Sequence, residues 1–150
     1  MSYRTYINGH EWLGNNECPV VILEELKRQG CQLNEDYCGP EDDDGNIVPF
    51  EVKDLNGLVK ATEQAILEMV KRYPKVADFN RGVEYWARNH HLTYGMSLSR
   101  DYAYIFWSVK LLDLVGADNY MESKERSEDD STVVTVYTLK PGAKCLFNAG

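Results

Sequence analysis

No stretch of this 150-residue sequence is apolar for the roughly 20 residues needed to cross a bilayer, and the opening Met1-Ser2-Tyr3-Arg4-Thr5 has no charged and then greasy leader. The expectation is a soluble, cytoplasmic chain with no membrane partner. Also missing are the P-loop, the G-x-G-x-x-G turn, the G-x-S-x-G elbow and the H-E-x-x-H helix, which removes the common nucleotide-binding, hydrolase and metalloprotease signatures. Cysteine occurs four times, at Cys18, Cys31, Cys38 and Cys145, and never in the closely spaced pairs of a zinc site. In a cytoplasmic chain these read as buried or idle thiols rather than a disulfide framework. A Cys-His nucleophile has no recognisable local signature here. Internal repeats and a linker are absent too, so residues 1–150 are expected to form one globular domain, with no cofactor implied.

What is present is enough apolar material for a core. A domain of this length buries about 68–70% of the surface its unfolded chain exposes, so it folds without staples. The net charge is −8, and its placement is uneven. Residues 35 to 54 hold eight acids against one lysine, and residues 118 to 130 hold six acids against two basic residues, leaving +3 for the rest. Two such segments argue against direct contact with a phosphate backbone and suit a basic partner.

The clearest element is a β-hairpin over residues 3 to 13, because Asn8-Gly9 supplies the positive φ angles of a type I′ turn between strand-like flanks. Gly14-Asn15-Asn16 then reads as a loop with a cap, and Pro19 opens a helix that closes near Gln29 on Gly30. Residues 34 to 46 are acidic and broken by Gly39-Pro40 and Asp44-Gly45, the composition of a long surface loop. Ile47 to Lys53 reads as a strand that Pro49 confines to an edge or bulge. Asp54 caps an amphipathic helix in which Leu55, Leu58, Val59, Thr62, Ile66, Met69, Val70 and Tyr73 recur at helical steps before Pro74. Val76, Phe79, Val83 and Trp86 predict a shorter helix ending near Asn89, and Ser99 caps a third long helix, apolar over a wide arc, that Gly116 ends. Residues 118 to 130 show no apolar stripe. The β-branched run 132 to 139 predicts a strand closed by Pro141-Gly142. The fold class is therefore α+β, with a small antiparallel sheet packed against three to four helices. The N-terminal hairpin and the 132 to 139 strand are expected to share that sheet.

Residues 40 to 51 come nearest to a chemical motif. With Gly45 as the turn glycine of a calcium loop, Asp42, Asp44 and Glu51 fall on ligand positions, but the first ligand position is Pro40. The first reading is an acidic surface turn with Asp-Gly at its tip, and weak cation binding is the second. His90 and His91 stand side by side at an expected helix end, where adjacent residues point about 100° apart and rarely reach one metal. Their cationic form suits a helix C-terminus. By residue type, either one with Glu84 or Asp101 as orienting carboxylate suits the acid–base work of a small hydrolase or nuclease. The remaining signal lies in aromatics. Trp12, Tyr3 and Tyr6 stand on the hairpin, and Tyr85, Trp86, Tyr94, Tyr102, Tyr104 and Trp107 crowd the middle of the chain. Most belong to a core, and the surplus is expected at an oligomer interface or partner site, Trp12 among them.

The opening Tyr3-Arg4-Thr5-Tyr6-Ile7-Asn8-Gly9, with Gly14-Asn15-Asn16-Glu17, resembles the start of small uncharacterised accessory proteins carried by bacterial phages and mobile elements. The resemblance covers about a tenth of the chain and transfers no catalytic residue. It implies an accessory role in the bacterial or host cell, such as blocking a host defence. The expected function is accordingly a non-enzymatic, self-associating binding or inhibitor protein. Its surface of Asp42, Asp43, Asp44, Glu128, Asp129, Asp130 and Trp12 would meet a basic partner such as a nucleic-acid-binding protein. The alternatives are the His90/His91 hydrolase or nuclease, and a protein that sequesters a nucleotide-like ligand between aromatic side chains of an oligomer.

Overall fold

The computed structural model describes residues 4–13, 18–34, 39–72 and 107–149, with the side chains of residues 66 and 69–72 set aside. Hairpin geometry opens it. Strands β1 (Thr5–Ile7) and β2 (His10–Glu11) flank Asn8 and Gly9, whose φ angles of 51° and 80° are the left-handed pair that the Asn-Gly turn demands. Helix α1 (Val20–Arg28) follows Pro19, and Gly30 turns the chain away at φ 97°. Strand β3 (Phe50–Glu51) is short, as Pro49 requires, and helix α2 (Leu55–Arg72) starts on Asp54, whose Oδ1 accepts the Gly57 N–H at 2.9 Å. Helix α3 (Trp107–Val115) ends on Gly116 at φ 94°. Strands β4 (Tyr120–Arg126), β5 (Val133–Leu139) and β6 (Leu146–Ala149) complete the described elements. The expected helix over 76–89, the Ser99 cap and the loop cap at Asn15-Asn16 lie outside the described residues.

These elements make an α+β fold of three helices with two antiparallel sheets among the described residues, one ordered β2-β1-β6-β3 and one consisting of β4 and β5. The hairpin's sheet partner differs from the expected one. Strand β5 does not join β1; its neighbour is β4, in unbroken register from Tyr120↔Leu139 to Arg126↔Val133. The strand that does join is β6, with Thr5 opposite Ala149 and Ile7 opposite Phe147, while Phe50 of β3 meets Phe147 from the other side. The acidic run 118 to 130, which shows no apolar stripe, holds strand β4, whose residues beyond Tyr120 are all exposed.

The row Ile7, Phe147 and half-buried Phe50 turns one face of the four-stranded sheet inward, and Ile22 and Leu26 of α1, Leu55, Leu58 and Val59 of α2, and Leu111 and Val115 of α3 complete the core. Trp12 sits in this core at 1% exposure, edge-on to Phe147 with ring centroids 6.5 Å apart, and its Nε1–H donates to the Trp107 carbonyl at 2.8 Å. Two polar fasteners hold the frame. Asn8 receives the Leu146 N–H on Oδ1 at 2.8 Å and donates Nδ2–H to the Lys144 carbonyl at 3.1 Å, so the turn residue also anchors the start of β6. Gln29 at the end of α1 accepts the Asp54 N–H at 3.2 Å and donates to the Asp54 carbonyl at 2.9 Å, while Arg28 bridges Glu25 and Asp54 at 2.5 and 2.8 Å. Gly57 lies beneath that bridge, where a Cβ would strike all three charged groups.

Candidate functional site

Two acidic turns project from this frame on the same local plan. The first is fixed at its base by the paired bridges Leu33↔Pro40 and Glu41↔Ile47, and by Gly39, so close to the Ala149 carbonyl oxygen that a Cβ would come within 2.8 Å. Glu41 is held by the amides of Gln32 and Asn34 at 3.3 and 2.9 Å. Asp42 then folds its carboxylate back into the loop: Oδ1 accepts the N–H groups of Asp44 at 3.0 Å and Asn46 at 2.9 Å, and Gly45 closes the turn at φ 82°. Such an Asx arrangement mimics a backbone turn, and the Asn46 N–H foremost holds the Asp42 carboxyl below the usual carboxylate range. Asp43 and Asp44 project outward.

The second turn joins β4 to β5. Asp129 Oδ1 accepts the hydroxyls of Ser127 at 2.5 Å and Ser131 at 2.6 Å and the Ser131 N–H at 3.1 Å, while Asp130 stands at φ 60°. The Ser127 hydroxyl, then Ser131, lowers the Asp129 carboxyl to about 2. A depressed carboxyl contributes stability above its unfolded value of about 3.9, and that contribution disappears as pH falls through the folded value. Carbon-detected titration of the Asp129 carboxyl is therefore expected to show a midpoint near 2. A Ser127→Ala/Ser131→Ala variant should raise it towards the ordinary range. A midpoint in that range for the parent chain would show that the hydroxyls do not hold the charge.

Among the described residues no ion pair reaches Asp42, Asp43, Asp44, Glu128 or Asp129, and Asp130 has only Arg126, at 3.6 Å across two exposed side chains. The calcium-loop positions are not gathered. Asp42 spends Oδ1 on its own loop, Pro40 sits in a bridge, and Glu51 is in β3 opposite Leu146. No group of three or more His, Cys, Asp or Glu residues among the described residues is placed to hold a metal ion.

The structure removes Trp12 from the expected contact surface. Its indole is buried and its polar tip is bonded to Trp107, which leaves it nothing to offer a partner. His90, His91, Glu84 and Asp101, with Tyr3 and the aromatics at 85 to 106, lie outside the described residues. Cys18, Cys31 and Cys145 are buried, and desolvation raises the Cys31 thiol to about 11 and the Cys145 thiol to about 12, away from nucleophilic use. Residue types alone do not single out the serines that clamp Asp129 or the exposed Met121, Val133 and Val134 of the β4–β5 ribbon. The Ser-Glu-Asp-Asp-Ser spacing over 127 to 131 is the available signal for the clamp. No described helix is long and apolar enough to cross a membrane. No family model, curated protein or solved structure matches the chain.

Proposed function

We propose that this chain is a non-enzymatic binding protein that presents its two acidic turns to a basic surface of a partner protein. The observation that carries the reading is that outward acids adjoin, in each turn, an aspartate whose charge is secured by the turn itself, and among the described residues only Arg126 is spent on neutralising them. Charge left uncompensated on ordered turns steers association with an oppositely charged surface and costs little rearrangement on contact. The likeness of the opening residues to phage-borne accessory proteins adds, on its own, the reading that such a partner belongs to a host defence system.

A lysine decapeptide serves as the first probe. Its affinity is expected to fall at least tenfold when salt rises from about 0.05 M to 0.5 M, because exposed charge pairs are screened beyond about 10 Å at 0.1 M. Neutralising the outward acids in an Asp43→Asn/Asp44→Asn/Glu128→Gln/Asp130→Asn variant should produce a similar loss at low salt. Binding indifferent to both salt and neutralisation would defeat the proposal.

A further inference from the structure

Strands β4 and β5 form a two-stranded ribbon, so each has an edge without a strand neighbour among the described residues. Proteins blunt such edges with charge or proline. On β4 the charges are there, in Glu122, Lys124, Glu125 and Arg126, but Val133–Leu139 contains neither a charged residue nor a proline. The hydrogen bonds from the Ser127 N–H to Thr132 and from the Lys140 N–H to Asn119 fix which residues of β5 face β4. By alternation, Val133, Thr135, Tyr137 and Leu139 turn their N–H and C=O groups to the open side. Asn56 of α2 covers the lower part of that side by accepting the Tyr137 N–H at 3.2 Å. The outward N–H groups of Val133 and Thr135 meet no acceptor among the described residues. Beside them Val133 is 61% exposed and Val134 36%, and Val134 and Val136 lie on the same face of the ribbon as half-exposed Met121.

We propose that the open edge at Val133–Thr135 accepts an extended segment of the partner by antiparallel β-strand addition. The segment carries aliphatic side chains at alternate positions, to lie along Val134 and Val136, and lysines or arginines at its C-terminal end. The direction follows from the ribbon: β5 runs away from the acidic turn, so an antiparallel strand ends over Glu128, Asp129 and Asp130. This deepens the basic-partner reading and rests on it. Charge complementarity favours that occupant over a second copy of a chain whose net charge is −8. Shape does too. A two-fold pairing centred on Val134 would set Ser131 opposite the second copy's Tyr137, whose edge Asn56 already occupies. A single extended segment needs only the few residues that are open, and its main-chain hydrogen bonds supply affinity while alternate side chains supply selectivity.

The probe is an acetylated, amidated heptapeptide reading Thr-Val-Thr-Val-Lys-Arg-Lys, titrated into the full chain. Saturating peptide is expected to slow amide exchange at Val133 and Thr135 at least tenfold. N-methylation at one of two adjacent peptide positions should weaken binding about tenfold and at the other hardly at all, because strand pairing uses alternate N–H groups. Thr135→Pro should weaken binding about tenfold as well; besides the exposed hydroxyl that accepts from Lys124 Nζ, it removes an outward donor on an edge, a place where proline is tolerated. Glu128→Gln/Asp129→Asn/Asp130→Asn should cause a separate, salt-sensitive loss. If neutralising the turn weakens the heptapeptide while N-methylation and Thr135→Pro do not, strand addition is wrong and the basic-partner reading stands. A heptapeptide that fails to bind where the lysine decapeptide binds would likewise overturn strand addition alone, and failure of both probes removes both readings. Self-association of the chain that Thr135→Pro abolishes would make a second copy the occupant and overturn the proposal.

Discussion

Trp12→Ala is expected to lower the unfolding free energy by about 3–5 kcal/mol, the range found when a large aromatic is deleted from a packed core. A domain has only about 5–15 kcal/mol in total, so the variant should be folded marginally if at all. Two contacts account for the size of the effect. The indole packs edge-on to Phe147, the residue on which Ile7 and Phe50 also converge, and its Nε1–H satisfies the Trp107 carbonyl where α3 begins. Trp12→Phe separates the two. It keeps most of the apolar volume but loses the donor, and should cost about 1–3 kcal/mol for a buried carbonyl left short of that partner. Urea denaturation of the two variants measures both losses. A change below about 1 kcal/mol for Trp12→Ala would be that of a surface side chain.

Asn8 is expected to give the second large effect, and for a different physical reason. Alanine there must hold a φ of 51°, a left-handed conformation that costs an ordinary residue about 1–2 kcal/mol. It also loses the side-chain hydrogen bonds to Leu146 and Lys144, worth about 1 kcal/mol each, and a longer one at 3.4 Å to the Leu114 carbonyl. The sum for Asn8→Ala is a loss of about 3–4 kcal/mol in thermal or urea unfolding. Asn8→Gly removes the bonds but relieves the backbone, so its loss should be smaller by about the left-handed cost. Asn8→Asp keeps an acceptor for the Leu146 N–H and should fall between them. Equal losses for the alanine and glycine variants would show that the turn conformation contributes nothing and that the anchor to β6 is the whole role.

The parts of this fold that are legible in the sequence are those written in local chemistry. Asn8-Gly9 marks the hairpin, Asp54 the start of α2, Gly30 and Gly116 the ends of α1 and α3, and Pro49 the edge position of β3. Each works through one turn or one cap, so neighbours in the chain suffice to read it. Strand partnership is different. The β-branched residues of β5 mark it as a strand without saying which strand lies beside it, and four-residue β6 is too short for a period to show. Strand β4 hides for another reason: with solvent over nearly its whole length it has no apolar face to alternate, and its extended shape comes from its register with β5. Trp12 reads as a contact-surface residue because the chain holds more large aromatics than one core face needs, and only the crossing of α3 behind the hairpin supplies the carbonyl that makes its burial tolerable. The acid-rich segments are legible as charge, whereas the clamp on Asp129 needs Ser127 and Ser131 brought round by a turn.

The meeting of Thr5 with Ala149 has a bearing on how the protein is made. Strand β6 lies between β1 and β3, so the hairpin has no strand neighbour on its β1 side until residues 146–149 have been made. Pairing over so long a stretch of chain tends to be slow. Between the making of β1 and that of β6 the nascent polypeptide must carry Ile7 without its cross-strand neighbour Phe147, and an inner strand of the sheet is laid down only after both of the strands it joins.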